Sequence, residues 1–261
     1  TATGKTRFTK LAAGEGEILS RNTTWTFSRD VDLSQTFVGV SYYDGQGFMA
    51  PKALGVKSAK ELDGASVCIQ TGTTTELNLA EFFSANKISY EAVPIETNAE
   101  AQELYKAGRC DVYTTDASGL YSTRASMPVP SDHLVFAEII SKEPLGPVVR
   151  HGDDQWADIV GWTLRAMMAG EELGITSANV KSLAGKDNKN KEINRLLGKD
   201  PLQGLSKLGL SADWAVQVIG QVGNYEEVFE KNLGMSTPLK IARGANSLYR
   251  DGGLFYIPPI K

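Results

Sequence analysis

From Thr36 onward the chain alternates runs of period two with stripes of helical period. Thr36 to Tyr42 alternates apolar with small or polar residues and predicts a strand. Short apolar runs at Ser66–Gln70, Tyr90–Val93 and Asp111–Thr115 predict three more. Helical stretches at Thr75–Ala85 and Ala99–Ala107 separate them, the first with Leu77, Leu79, Ala80, Phe82 and Phe83 as its apolar face. Strands alternating with helices of this length predict a parallel sheet of βαβ units. Lys57–Leu62 reads as a short helix, and Leu134–Ser141 and Leu145–Val149 as further strands.

Local signals place the ends. Thr73 with Glu76, and Thr97 with Glu100, have capping-box spacing, and Gly108 stops the second helix. Asp44-Gly45-Gln46-Gly47 is a turn signal. Arg7–Leu11 reads as a helix leading into a strand end over Asn22–Arg29. Asp153 caps a long helix with Trp156, Ile159, Val160, Leu164 and Met167 as its core stripe. From Val180 to about Leu210 the chain is polar and irregular. Helices then resume at Ser211–Gln221, with Trp214, Val218 and Val222 on one side, and at Asn224–Leu233. The Pro258-Pro259 tail is expected to be extended. There is no internal repeat.

Composition narrows the class. The 261 residues are 41% hydrophobic, enough for one large or two modest cores. A net charge of −4, without a basic run interleaved with aromatics, argues against nucleic acid as a partner. No apolar stretch reaches the ~18 residues of a membrane span. The polar start Thr1 to Thr6 has no signal-peptide core.

Three segments carry candidate chemistry. Ser20 to Asp30 gathers hydroxyls and an amide around Arg29, a set suited to a small carboxylate; the competing reading pairs Arg29 with Asp30 or Asp32. Cys68 to Glu76 runs from a strand through Gly72 into a helix N-terminus, a place for an anion, or an ordinary threonine cap. Cys110 to Asp116 ends a strand on a carboxylate, placed to meet a cation, or to cap a helix from Ala117. Together they outline an α-amino acid.

These strings resemble the polar amino-acid-binding proteins of bacterial ABC importers, solute-binding protein family 3. Ser20–Thr26, Tyr42–Met49, Gly72–Glu76 and Gly108–Asp116 are similar to its general L-amino-acid branch. The resemblance implies a two-lobed α/β fold of type II, with residues 1–44 and 150–261 in lobe 1, an extension at about 180–210, and residues 45–149 in lobe 2. It implies Asn22, Thr24 and Arg29 as first-lobe ligands, Thr74 (N–H and hydroxyl) as a carboxylate contact, and Asp116 as the ammonium partner. The implied role is capture of an L-amino acid in the periplasm and delivery to an ABC permease, without a cofactor. The family's first strand–helix–strand unit is not seen, so lobe 1 is expected to be incomplete, with weakened binding and a homo-oligomer or domain swap covering its edges.

Cys68 and Cys110 fall on strands that can lie side by side, and an even count in an exported protein favours a disulfide; the alternative is two buried thiols. No zinc or other metal site is expected, because the only histidines, His133 and His151, lack ligand spacing. Enzymatic readings are weak. Thr3-Gly4-Lys5-Thr6 lacks the upstream glycine of a phosphate loop, and there is no G-x-S-x-G elbow. The rivals on the same fold are a periplasmic dehydratase, which needs a general acid in the cleft, and an amino-acid sensor.

Overall fold

The computed structural model describes residues 2–261; Thr1, the first residue of the polar start, lies outside them. In chain order the elements are α1 (Arg7–Ala12), α2 (Phe27–Asp32), β1 (Gln35–Phe37), β2 (Tyr42–Asp44), β3 (Gln46–Pro51), β4 (Ala65–Gln70) and α3 (Thr74–Asn86). β5 (Tyr90–Ile95), α4 (Asn98–Lys106), β6 (Val112–Asp116), α5 (Ala117–Ala125), β7 (His133–Val135), β8 (Glu143–Leu145) and β9 (Val148–Arg150) follow. Five helices close the chain: α6 (Asp154–Glu172), α7 (Val180–Ala184), α8 (Lys191–Leu196), α9 (Trp214–Val222) and α10 (Tyr225–Asn232).

The chain divides into two compact units. One holds the segment up to Gln35 with Tyr42–Val148, the other Thr36–Ser41 with Val149–Lys261. Residues up to 35 group with the large sheet. Backbone pairing is the reason: Leu19 bridges Val148, Thr24 bridges Leu145, β2 pairs with β8, and Trp25 N–H donates to Pro144 O at 2.9 Å.

The first unit is built on a five-stranded sheet of order β5-β4-β6-β3-β7. β4 runs parallel to β5 and β6, but β3 is antiparallel to both β6 and β7, so the sheet is mixed where an all-parallel one was expected. The expected turn at Asp44–Gly47 shrinks to Gly45, because Gln46 and Gly47 pair with Asp116 and Thr115. A Cβ on Gly45 would lie 2.9 Å from Ser141 O, so the close approach requires glycine. Period two works on both faces. Phe48, Val67, Ile69 and Val112 pack with Phe83 on one side; Met49, Cys68 and Tyr113 pack with Tyr105 and Leu120 on the other. The Phe48 and Phe83 rings stack at 5.9 Å, and each buried ring contributes about 1.5–3 kcal/mol. On the second face Cys68 and Cys110 form a disulfide, with Cα atoms 5.6 Å apart.

Several expected elements change length. The strand expected over Thr36–Tyr42 is split into β1 and the start of β2. Beyond β7, the strand expected to Ser141 keeps only isolated bonds to β3, from Phe136 N to Phe48 O and from Ile140 N to Gln46 O, both 2.9 Å. The helix expected at Lys57–Leu62 is one 3-10 turn, Ala59–Glu61.

In the second unit β1 and β9 form a two-stranded sheet beside the helices. Asp153 Oδ1 caps α6 by accepting from Trp156 N at 2.9 Å. The buried face of α6 is not the expected tryptophan stripe, which is half-buried, but Gly161, Ala166, Met168, Ala169 and Gly170. Small residues let α9 approach: a Cβ on Gly170 would meet Ile219 Cδ1 at 2.9 Å. The segment expected to be irregular folds as α7, α8 and a 3-10 turn, whose Val180, Leu196 and Leu197 join that core. α9 buries Trp214, Ala215 and Ile219, leaving Val222 exposed. α10 starts at a reciprocal box between Asn224 and Glu227.

Candidate functional site

All five residues expected at the site, Asn22, Thr24, Arg29, Thr74 and Asp116, fall in the first unit. Direct hydrogen bonds join them in pairs or through a shared neighbour.

Arg29 lies on a helix, not on the expected strand end, because Thr26 Oγ1 accepts from Arg29 N at 3.3 Å and starts α2 there. The residue is only 8% exposed. Nη1 donates to Thr24 O at 3.0 Å, and the group lies 5.2 Å above the Phe8 ring. Asp30 and Asp32 do not pair with it; among the described residues it makes no ion pair. Burial lowers its pKa, with Glu143 and Asp116 opposing. Arg7 takes the same Phe8 ring at 5.0 Å and donates to Asn22 O at 2.7 Å and Thr23 Oγ1 at 3.3 Å. Burial first, then Arg29, pushes Arg7 down to about 9.

Thr74 opens α3. Thr73 Oγ1 accepts from Glu76 N at 3.3 Å, while Glu76 accepts from Gly72 N at 3.0 Å, so the expected box closes one residue early. Gly72 adopts φ 69°, a left-handed turn suited to glycine.

Asp116 stands immediately before α5 yet makes no cap with its side chain. Its Oδ2 accepts from Asn22 Nδ2 at 2.8 Å. Asp44 Oδ2 instead takes the N–H of Ser118, at 3.3 Å. Burial raises Asp116 to about 7, helped by the neighbouring Asp44 charge and opposed by the Asn22 bond. Burial also raises Asp44.

Sequence reasoning missed Glu143, which is 1% exposed. Its Oε2 accepts from the Thr24 hydroxyl, and from Thr74 Oγ1 at 3.0 Å. Its Oε1 accepts from Asn78 Nδ2 at 2.8 Å and Ser141 Oγ at 2.7 Å. Between Lys142 and Pro144 it reads as a solvated loop acid, and nothing local marks it otherwise. Chemically, the Arg29 guanidinium, without an ion pair among the described residues, and the helix start at Thr74 suit an anion, and the buried Asp116 carboxylate suits a cation. Among the described residues no group of three or more His, Cys, Asp or Glu could hold a metal.

No family model matches the chain. It is 57% identical over 259 residues to the glutamate/glutamine/aspartate/asparagine-binding protein BztA of Rhodobacter capsulatus, covering 99% of this chain and 76% of that one. To the general L-amino acid-binding periplasmic protein AapJ of Rhizobium johnstonii it is 55% identical over 258 residues, 98% of this chain and 75% of the relative. Among solved structures it superposes with a TM-score of 0.95 on an ABC transporter/periplasmic binding protein from Brucella ovis with glutathione bound. That protein is 50% identical, and the match covers all of this chain and 81% of the other.

Proposed function

The chain belongs to the periplasmic amino-acid-binding proteins of ABC transporters, and from that premise we propose that it captures L-α-amino acids and presents them to a permease. Its fold is the two-lobed α/β fold of type II periplasmic binding proteins. The observation that carries the proposal is the buried Arg29, which makes no ion pair among the described residues, in one unit with the buried Asp116. Arg29 and the N–H of Thr74 take the α-carboxylate, and Asp116 takes the α-ammonium. Asn22 orients Asp116, and Thr24 lends Arg29 its carbonyl. Binding selects the form in which both sets of contacts are made.

The ligand class is defined by that ammonium–carboxylate pair, which glutathione also carries on its γ-glutamyl end. Periplasmic residence fits the disulfide, and no helix among the described residues is long and apolar enough to cross a membrane. A binding role without turnover fits the relatives, which are named as binding proteins. Asp116, near 7, has the pKa of a general acid, but an ammonium beside it holds it ionised.

Calorimetric titration with L-glutamate, L-glutamine, L-aspartate, L-asparagine and glutathione tests the reading. Saturable binding of at least one is expected. No binding, or turnover of a cyclic carboxylate, would replace it. Co-purification with a permease separates an importer from a sensor.

A further inference from the structure

Four donors converge on Glu143: the hydroxyls of Thr24, Thr74 and Ser141 and the amide of Asn78. A carboxylate only accepts, with about four lone-pair positions, so this one is filled and has nothing left for a ligand. Its influence is exerted through its donors. A hydroxyl owns one proton, and those of Thr24 and Thr74 both go to Glu143 Oε2. The two hydroxyl oxygens nevertheless lie only 3.3 Å apart. With both protons spent on Glu143, no proton lies between them. The two oxygens then face each other with lone pairs alone, a notch able to accept from a donor.

We propose that Glu143 is a positioning residue that fixes the polarity of this notch: by taking both threonine protons it makes Thr24 and Thr74 acceptors toward the ligand, so that the notch takes an N–H of the α-ammonium and turns the carboxylate away toward Arg29. The inference rests on the amino-acid reading of the site, and it leaves Thr74 only its backbone N–H for a carboxylate. Without Glu143 the hydroxyl protons are free to rotate outward, and the notch becomes amphoteric. Discrimination for the amino group is then lost more than affinity itself.

The test compares L-glutamine with its deaminated analogue glutaramate, by calorimetry on the full chain. In the parent, L-glutamine is expected to bind at least about 100-fold tighter. In Glu143→Gln that ratio should fall about tenfold or more, glutaramate losing less than glutamine. Thr74→Val should lower the ratio likewise, and Thr74→Ser should restore it; this pair decides the matter if Glu143→Gln does not fold. Equal weakening of both ligands in Glu143→Gln, or an unchanged ratio in a folded Thr74→Val, would overturn the proposal. A parent that binds neither ligand would instead bring down the amino-acid reading itself.

Discussion

Asn22 Nδ2 donates to Asp116 Oδ2 at 2.8 Å across 94 residues of sequence, and this bond holds a buried carboxylate away from the helix it precedes. Because burial and Asp44 raise Asp116 to about 7, folding disfavours its ionised form. Its contribution to the stability of the ligand-free protein is therefore fully present below pH about 4 and lost as pH rises to about 7.

Binding should show the opposite trend. An ammonium favours the ionised carboxylate, so a ligand must expel a proton whenever Asp116 carries one. Affinity should climb with pH up to about 7 and then level off. Calorimetry at pH 6 in buffers of different ionisation heat should detect proton release, and Asp116→Asn should abolish it while weakening binding strongly.

Replacing Arg29 removes the only cation expected to meet the carboxylate directly. Arg29→Ala should cost about 3–5 kcal/mol of binding free energy, raising Kd by roughly two to three and a half orders of magnitude. Arg29→Lys keeps the charge but not the planar fork and should fall between. A parent-like isotherm for Arg29→Ala with L-glutamine or L-glutamate would show that the anion end lies elsewhere.

The Cys68–Cys110 disulfide spans a sequence separation of 42 residues, worth about 4 kcal/mol by loop-closure entropy. Both sulfurs should resist alkylation in the native, unreduced protein. Reduction, or the double change to serine, should lower Tm by several degrees. Rapid labelling of two thiols without reductant would contradict the bridge.

Gly45→Ala places a methyl 2.9 Å from Ser141 O. Overpacking of this kind costs about 1–3 kcal/mol. Ser141 is one of the four donors to Glu143, so the variant should lose ligand affinity along with thermal stability. A denaturation curve and one titration check both.

Arg29, Thr74, Asp116 and the two cysteines each sit in a local signal of the sequence: a hydroxyl-rich string, a glycine turn before a helix, a strand ending on an acid. Glu143 had no such signal. Three of its partners lie 119, 69 and 65 residues away, and only folding brings them together. Arg7 is buried at the start of α1, and no local signal there marks it either. Periodicity located β4, β5 and β6 within a few residues, but β3 went unread behind the turn signal at Asp44–Gly47, so its antiparallel insertion between β6 and β7 could not be read either. The short helices α7 and α8 contain too few turns to establish a stripe.

Asp44 bears on all of this through the N–H of Ser118, which its Oδ2 satisfies while its Oδ1 takes that of Gly45. By serving Ser118 it relieves Asp116 of the local duty that an aspartate before a helix ordinarily performs. If Asp44 were lost, the amides at the start of α5 would become an internal competitor for the Asp116 carboxylate. They would be present at an effective concentration no solute could match. The Asp116 carboxylate is thus left to the proposed ligand by a residue that need never touch it.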